Sequence, residues 1–156
     1  MTDGALLAEA DQNRSALAFA DAQRLSSTAH LHARIDAANV GQRQANLLFG
    51  RTSLNDYYML AFGPGYVTLL RHQKTYQTLE NRRIDPNLFG PGQHSLDISL
   101  RTHQVEARLD DHVVGTFQLR SGPFPPGQWG IGATNARIAF RDMTAQDDPP
   151  EHASIR

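Results

Sequence analysis

Ser95-Leu96-Asp97-Ile98-Ser99-Leu100-Arg101 and, after Thr102-His103, Gln104-Val105-Glu106-Ala107-Arg108-Leu109 decide the fold of this chain. Leu96, Ile98 and Leu100 alternate with Ser95, Asp97, Ser99 and Arg101. Val105, Ala107 and Leu109 alternate with Gln104, Glu106 and Arg108. Successive side chains of a strand point to opposite faces, so period two on both arms gives two half-buried antiparallel strands. Asp110-Asp111-His112 then turns the chain into Val113-Val114, and Thr116 to Leu119 supplies another short strand.

The pattern extends outward from there. Thr28 to Ile35 alternates, with Leu31, Ala33 and Ile35 on one face and His30, His32 and Arg34 on the other. Ala45 to Phe49 is mostly apolar and ends at Gly50. Tyr57 to Phe62 and Tyr66 to Arg71 flank Gly63-Pro64-Gly65 and read as a hairpin. Gly122 to Gly127 is a Pro/Gly loop, and Trp129–Thr134 and Ala136–Met143 read as the last pair of strands. About ten short strands at this spacing predict an all-β chain, a two-sheet antiparallel sandwich of jelly-roll type. Gly4 to Ala10 is rich in Ala and Leu, a weak helical signal, but its neighbours favour a strand. The expected domain is 4–145, and the polar, Pro-bearing residues 146–156 are expected to form a disordered tail.

A chain of 156 residues suits one core. It holds no cysteine, which excludes disulfides and thiolate metal sites. Its net charge of -1, with both signs interspersed, lacks the basic surplus of a phosphate-tracking protein, so nucleic acid is not an expected partner. No apolar run approaches a membrane span. Met1-Thr2-Asp3-Gly4 lacks the basic and apolar regions of a signal peptide.

Four pieces resemble the concanavalin A-like lectin/glucanase superfamily, and more narrowly its laminin G-like and keto-disaccharide-hydrolase-like domains. They are Asn46-Leu47-Leu48-Phe49 with Asn55-Asp56-Tyr57-Tyr58; Pro91-Gly92-Gln93-His94-Ser95-Leu96; Val105 to Asp110; and Gly127-Gln128-Trp129-Gly130-Ile131 with Ala139-Phe140-Arg141-Asp142-Met143. The resemblance implies a jelly roll whose concave sheet faces the ligand and, if the sequence is trimmed of a leader, an extracytoplasmic setting; the residues alone leave the location open. Two departures stand out. Gly50 occupies the place where the family often has Arg, with Arg51 one residue later, and an offset of one sends a side chain to the opposite face unless a bulge intervenes. Gly132 stands where an open-face tryptophan is often found.

Sugar recognition needs flat apolar rings and paired polar groups. Tyr57 and Met59 should share the ligand face, with Thr68, Leu70 and His72 beside them. Tyr57 is the expected ring on which a sugar lies, its phenol free to bond, while Tyr58 joins Leu60 and Phe62 in the core. Arg101 and Arg108 lie on outward positions of either sheet and complete the candidate ligand set. Trp129 is expected to pack at the core or a sheet end. His30 and His32, at i and i+2, point the same way but lack an adjacent third metal ligand. Asn55-Asp56 is a conceivable calcium loop and more simply a turn. No pair of carboxylates sits at glycosidase spacing: Glu106 and Asp110 are four apart, but Asp110 falls in a turn, and Glu80 has no partner nearby in sequence. The leading expectation is a non-catalytic carbohydrate-binding or accessory module. A glycoside hydrolase or lyase on the same fold, and a domain that meets a protein partner, are the alternatives.

Overall fold

A computed structural model describes residues 6–9, 15–37, 44–134 and 137–148. Twelve strands run through them: β1 (Leu6–Glu9), β2 (Ser15–Leu25), β3 (Thr28–Ala37), β4 (Gln44–Ser53), β5 (Asp56–Gly63), β6 (Tyr66–Gln73), β7 (Thr75–Arg83), β8 (Gly92–Arg101), β9 (Gln104–Leu109), β10 (His112–Gln118), β11 (Gly127–Thr134) and β12 (Arg137–Asp147). They form two antiparallel sheets. The back sheet has the order β1-β12-β3-β8-β9-β10 and the front sheet the order β2-β11-β4-β5-β6-β7. No helix among the described residues is long and apolar enough to cross a membrane.

The alternation that defines β8 and β9 sets the inner face of the back sheet. Leu96, Ile98, Leu100, Val105, Ala107 and Leu109 are all buried, paired Leu96 to Leu109, Ile98 to Ala107 and Leu100 to Val105. Leu47, Phe49, Leu60, Phe62, Val67 and Leu69 of the front sheet meet them in one core. Phe124, carried by the loop before β11, closes it edge-on against the stacked rings of Phe49 and Tyr58. That loop is tied down where Phe124 N donates to Thr102 O at 2.7 Å.

The turns follow their residues. Asp110 and Asp111 both take positive φ (51° and 68°) between the paired Leu109 and His112, as a two-residue turn matching the strand twist requires. Pro64-Gly65 joins β5 to β6, with Gly65 at φ 91°, where a side chain would be strained.

Two expectations need correction. The segments read as a closing pair lie in opposite sheets: β11 pairs with β2 and β4, β12 with β1 and β3. Ile131 and Phe140 therefore approach one core from its two sides, which gives both strands the same apolar pattern without pairing them. Residues 6–9 form β1, the strand that their neighbours favour. The boundary set at 145 is also too early, because Gln146 and Asp147 still pair with His30 and Ala29. The rest of the expected tail, 149–156, lies outside the described residues.

Candidate functional site on the outer face of the front sheet

A second, smaller apolar cluster lies outside the core. Leu48, Tyr57, Met59 and Ala61 pack together with Phe19, Tyr66 and Leu70 around them. Alternation puts it there. Leu47 and Phe49 face inward, so Leu48 faces out, and Tyr58 and Leu60 send Tyr57 and Met59 outward beside it.

Two polar groups frame the cluster. At one end Tyr66 Oη donates to Gln44 Oε1 (2.5 Å), Gln44 Nε2 to Asn46 Oδ1 (2.8 Å) and Asn46 Nδ2 to Thr134 Oγ1 (3.0 Å), a run crossing from β6 to β11. Thr68 donates to Asn81 next to it. At the other end the rings gather. Tyr57 stacks on His72 (4.9 Å between centroids), meets Phe19 edge-on at 5.2 Å, and shares a 2.7 Å hydrogen bond with the hydroxyl of Tyr76. Burial, with the Tyr76 bond adding to it, holds the Tyr57 phenol well above its ordinary pKa, against the opposing charge of Arg51. Burial raises the Tyr66 phenol likewise. Both hydroxyls therefore stay protonated at neutral pH, fit to bond and not to act as bases.

Arg51 reaches this face through a bulge. Leu48 pairs with Gly130 and Arg51 with Gln128, so β4 sets Phe49 and Gly50 against the single residue Trp129. Gly50 adopts φ 64°, a conformation that disfavours a side chain. The extra residue returns Arg51 to the side of Leu48, where its guanidinium lies 4.3 Å over Phe19 and Nη1 donates to Gln128 Oε1 at 2.9 Å. The bulge thus restores the face that the Gly50-Arg51 order shifted by one residue. Gly132 sits on the same outward row, paired with Asn46, and presents no side chain there.

Of the expected ligand residues, Tyr57, Met59, Thr68 and His72 come together on this face. Their exposure differs from expectation. Tyr57 is 4% exposed, its ring covered by His72 and Phe19 and its hydroxyl bonded, so it supports the site and does not offer a free platform. The open ring is its partner Tyr76, 41% exposed on edge strand β7. Arg101 and Arg108 do not belong with them. Both lie on the outer surface of the back sheet, across the core, and Arg108 Nε donates to Glu106 at 3.0 Å. Trp129 is half-buried against the core.

The other polar candidates have partners. His30 contacts Ser99 and Asp148, His32 contacts Asp97, and no group of three or more metal-ligating His, Cys, Asp or Glu occurs among the described residues. Asp56 turns both carboxylate oxygens to Arg71, and the Asn55 carbonyl lies 2.9 Å from His72 Nδ1. Glu80 pairs with Arg82.

Gly63 sets the position of Tyr66. A Cβ there would stand 2.3–2.5 Å from the far end of the Tyr66 ring. Gly63→Ala is expected to swing the ring off Gln44 and cost about 1 kcal/mol, the worth of that hydrogen bond. Urea unfolding of Gly63→Ala beside Tyr66→Phe checks this. The two losses should match, and a far larger loss for Gly63→Ala would mean that the backbone moves instead of the ring.

No protein-family model matches the sequence, and no curated protein matches it. Solved structures do match in shape. The carbohydrate binding module CBM66 from Bacillus subtilis superposes with a TM-score of 0.75 at 14% identity, over 90% of this chain and 86% of its own. Sheep galectin-11, solved with glycerol, gives 0.65 at 10% identity, over 88% and 99%. The Bacillus licheniformis beta-glucanase gives 0.59 at 10% identity, over 96% and 94%. At these identities the likeness speaks for the fold alone. The chain has the concanavalin A-like lectin/glucanase jelly-roll fold.

Proposed function

We propose that the domain is a non-catalytic carbohydrate-binding module whose ligand lies on the outer face of the front sheet, against Tyr76 and His72. The observation that carries this reading is the composition of that face. Rings at one end and bonded amides and hydroxyls at the other flank an apolar floor. A sugar ring offers C–H faces to aromatics and hydroxyls to amides, so both halves have a counterpart. Two solved structures that share the fold are named as a carbohydrate-binding module and a galectin, which supports the same reading.

Binding is favoured over hydrolysis by what the face carries. Hydrolysis of glycosides commonly uses two carboxylates about 5–10 Å apart. Asp56 and Glu80, the acidic residues among the described side chains of the front-sheet strands, occupy inward positions and are paired with Arg71 and Arg82.

A glycan array probed with and without calcium, followed by calorimetry on the best ligand, tests the proposal. Tyr76→Ala is expected to weaken binding about tenfold or more, some 1.4 kcal/mol. The melting temperature should hold, because the ring sits half-exposed on an edge strand. An array blank in both conditions would remove the carbohydrate reading and leave a protein-contacting surface in its place.

A further inference from the structure

We propose that this face selects acidic saccharides, with Arg51 receiving the sugar carboxylate; the inference rests on the carbohydrate-binding reading above. Arg34, Arg71, Arg82 and Arg108 each lie against a carboxylate, at 2.6–3.6 Å. Arg51 has no such partner among the described residues, and it differs from Arg24 and Arg83, which also have none, in being held against a ring. Its Nη1 is held by Gln128, its plane lies on Phe19, and its Nε is buried without an acceptor. The guanidinium is thus oriented on two sides and, among the described residues, uncompensated in charge.

The surroundings fit an incoming anion. The two described acidic side chains of this sheet occupy inward positions, so nothing among the described groups repels one at the outer face. Phe19 bridges Arg51 to Tyr57, whose partners are His72 and Tyr76. Tyr76 on β7 and Arg51 on β4 stand three strand spacings apart, roughly 14 Å, so an oligosaccharide with one ring on Tyr76 would set the carboxylate of another uronate residue toward Arg51. Planar guanidinium and planar carboxylate match as a two-bond fork, and that match discriminates against a neutral hydroxymethyl at the same carbon. A ring-stacked guanidinium is also pre-oriented, so little freedom is lost on binding.

The test uses the full chain with polygalacturonate, alginate and hyaluronate, each beside its carboxyl-reduced neutral counterpart, in low and high salt. At least one acidic polymer should bind ten or more times tighter than its reduced form, and salt should narrow the gap. Arg51→Gln should abolish the difference, while Arg51→Lys should keep part of it by retaining the charge without the fork. Thermal melts report whether the variants fold, and the acid-against-reduced comparison on the unaltered chain stands without them. Equal affinity for both forms, or preference for the neutral one, overturns the acidic-sugar inference and leaves the carbohydrate reading intact. Dextran sulfate bound more tightly than every uronate overturns the carboxylate assignment. Binding to none of the acidic or neutral polymers overturns the acidic-sugar inference and leaves the carbohydrate reading to the glycan array.

Discussion

Ile98→Ala is expected to lower the unfolding free energy by about 2–5 kcal/mol, the range for emptying a fully buried aliphatic site. Ile98 is 0% exposed, stands between Leu96 and Leu100 on the inner face of β8, and pairs with Leu31 on one side and Ala107 on the other. The Ala107 side has no long side chain to fold into the vacancy, so relaxation recovers little and the loss should sit in the upper half of that range. Urea unfolding gives the measurement. The midpoint should fall with the slope unchanged, since the same surface is exposed. Arg101→Ala, on an exposed position of the same strand, should stay within about 0.5 kcal/mol of the unaltered chain. A midpoint equal to that of the unaltered chain would mean that the strand faces are reversed.

That expectation was available from sequence because β8 and β9 have one dry face and one wet face, so their alternation encodes burial directly. The same holds for β3, whereas β5 is buried on both faces and its hairpin with β6 was marked by the Pro-Gly turn. Strand β7 was not legible, and there the reason is geometric. As the edge strand of the front sheet it is exposed along nearly its whole length, so both faces are polar and no period appears. Tyr76, the open ring of the site, was missed with it. Tyr57 was placed on the correct face, yet its burial depends on His72 and Phe19 arriving from other strands, which alternation cannot report. Arg101 and Arg108 lie on the back sheet, away from Tyr57, and their sheet was not legible for a related reason. Period two separates in from out within a strand but does not say to which sheet an outward face belongs. Gly50 was the local signal for the bulge, since a glycine before an arginine displaced by one residue is what a bulge leaves in a sequence.

Gly127→Ala should be the most damaging of the small substitutions, at about 3 kcal/mol, the upper end for overpacking a well-filled site. The conformation at Gly127 is one any residue adopts, so the requirement is for space. A Cβ would stand 2.5–2.7 Å from Arg51 O, Arg51 N and Gly50 C. These are backbone atoms of the bulge and cannot rotate aside as the Tyr66 ring does at Gly63. Relief requires β11 and β4 to part beside Gln128, the residue that holds Arg51. The substitution should therefore lower stability and, in the fraction that still folds, release Arg51 from Phe19 and weaken acidic-ligand binding as Arg51→Gln does. Gly90→Ala is the control. Nothing lies within 4 Å of a Cβ there and φ is -77°, so alanine should be neutral or stabilise by up to about 1 kcal/mol through the unfolded chain. Calorimetric melts of both variants, with affinity measured on each, separate the cases. A Gly127→Ala protein as stable as Gly90→Ala, with Arg51-dependent binding unchanged, would show that the two strands do not approach this closely and that the bulge does not set Arg51.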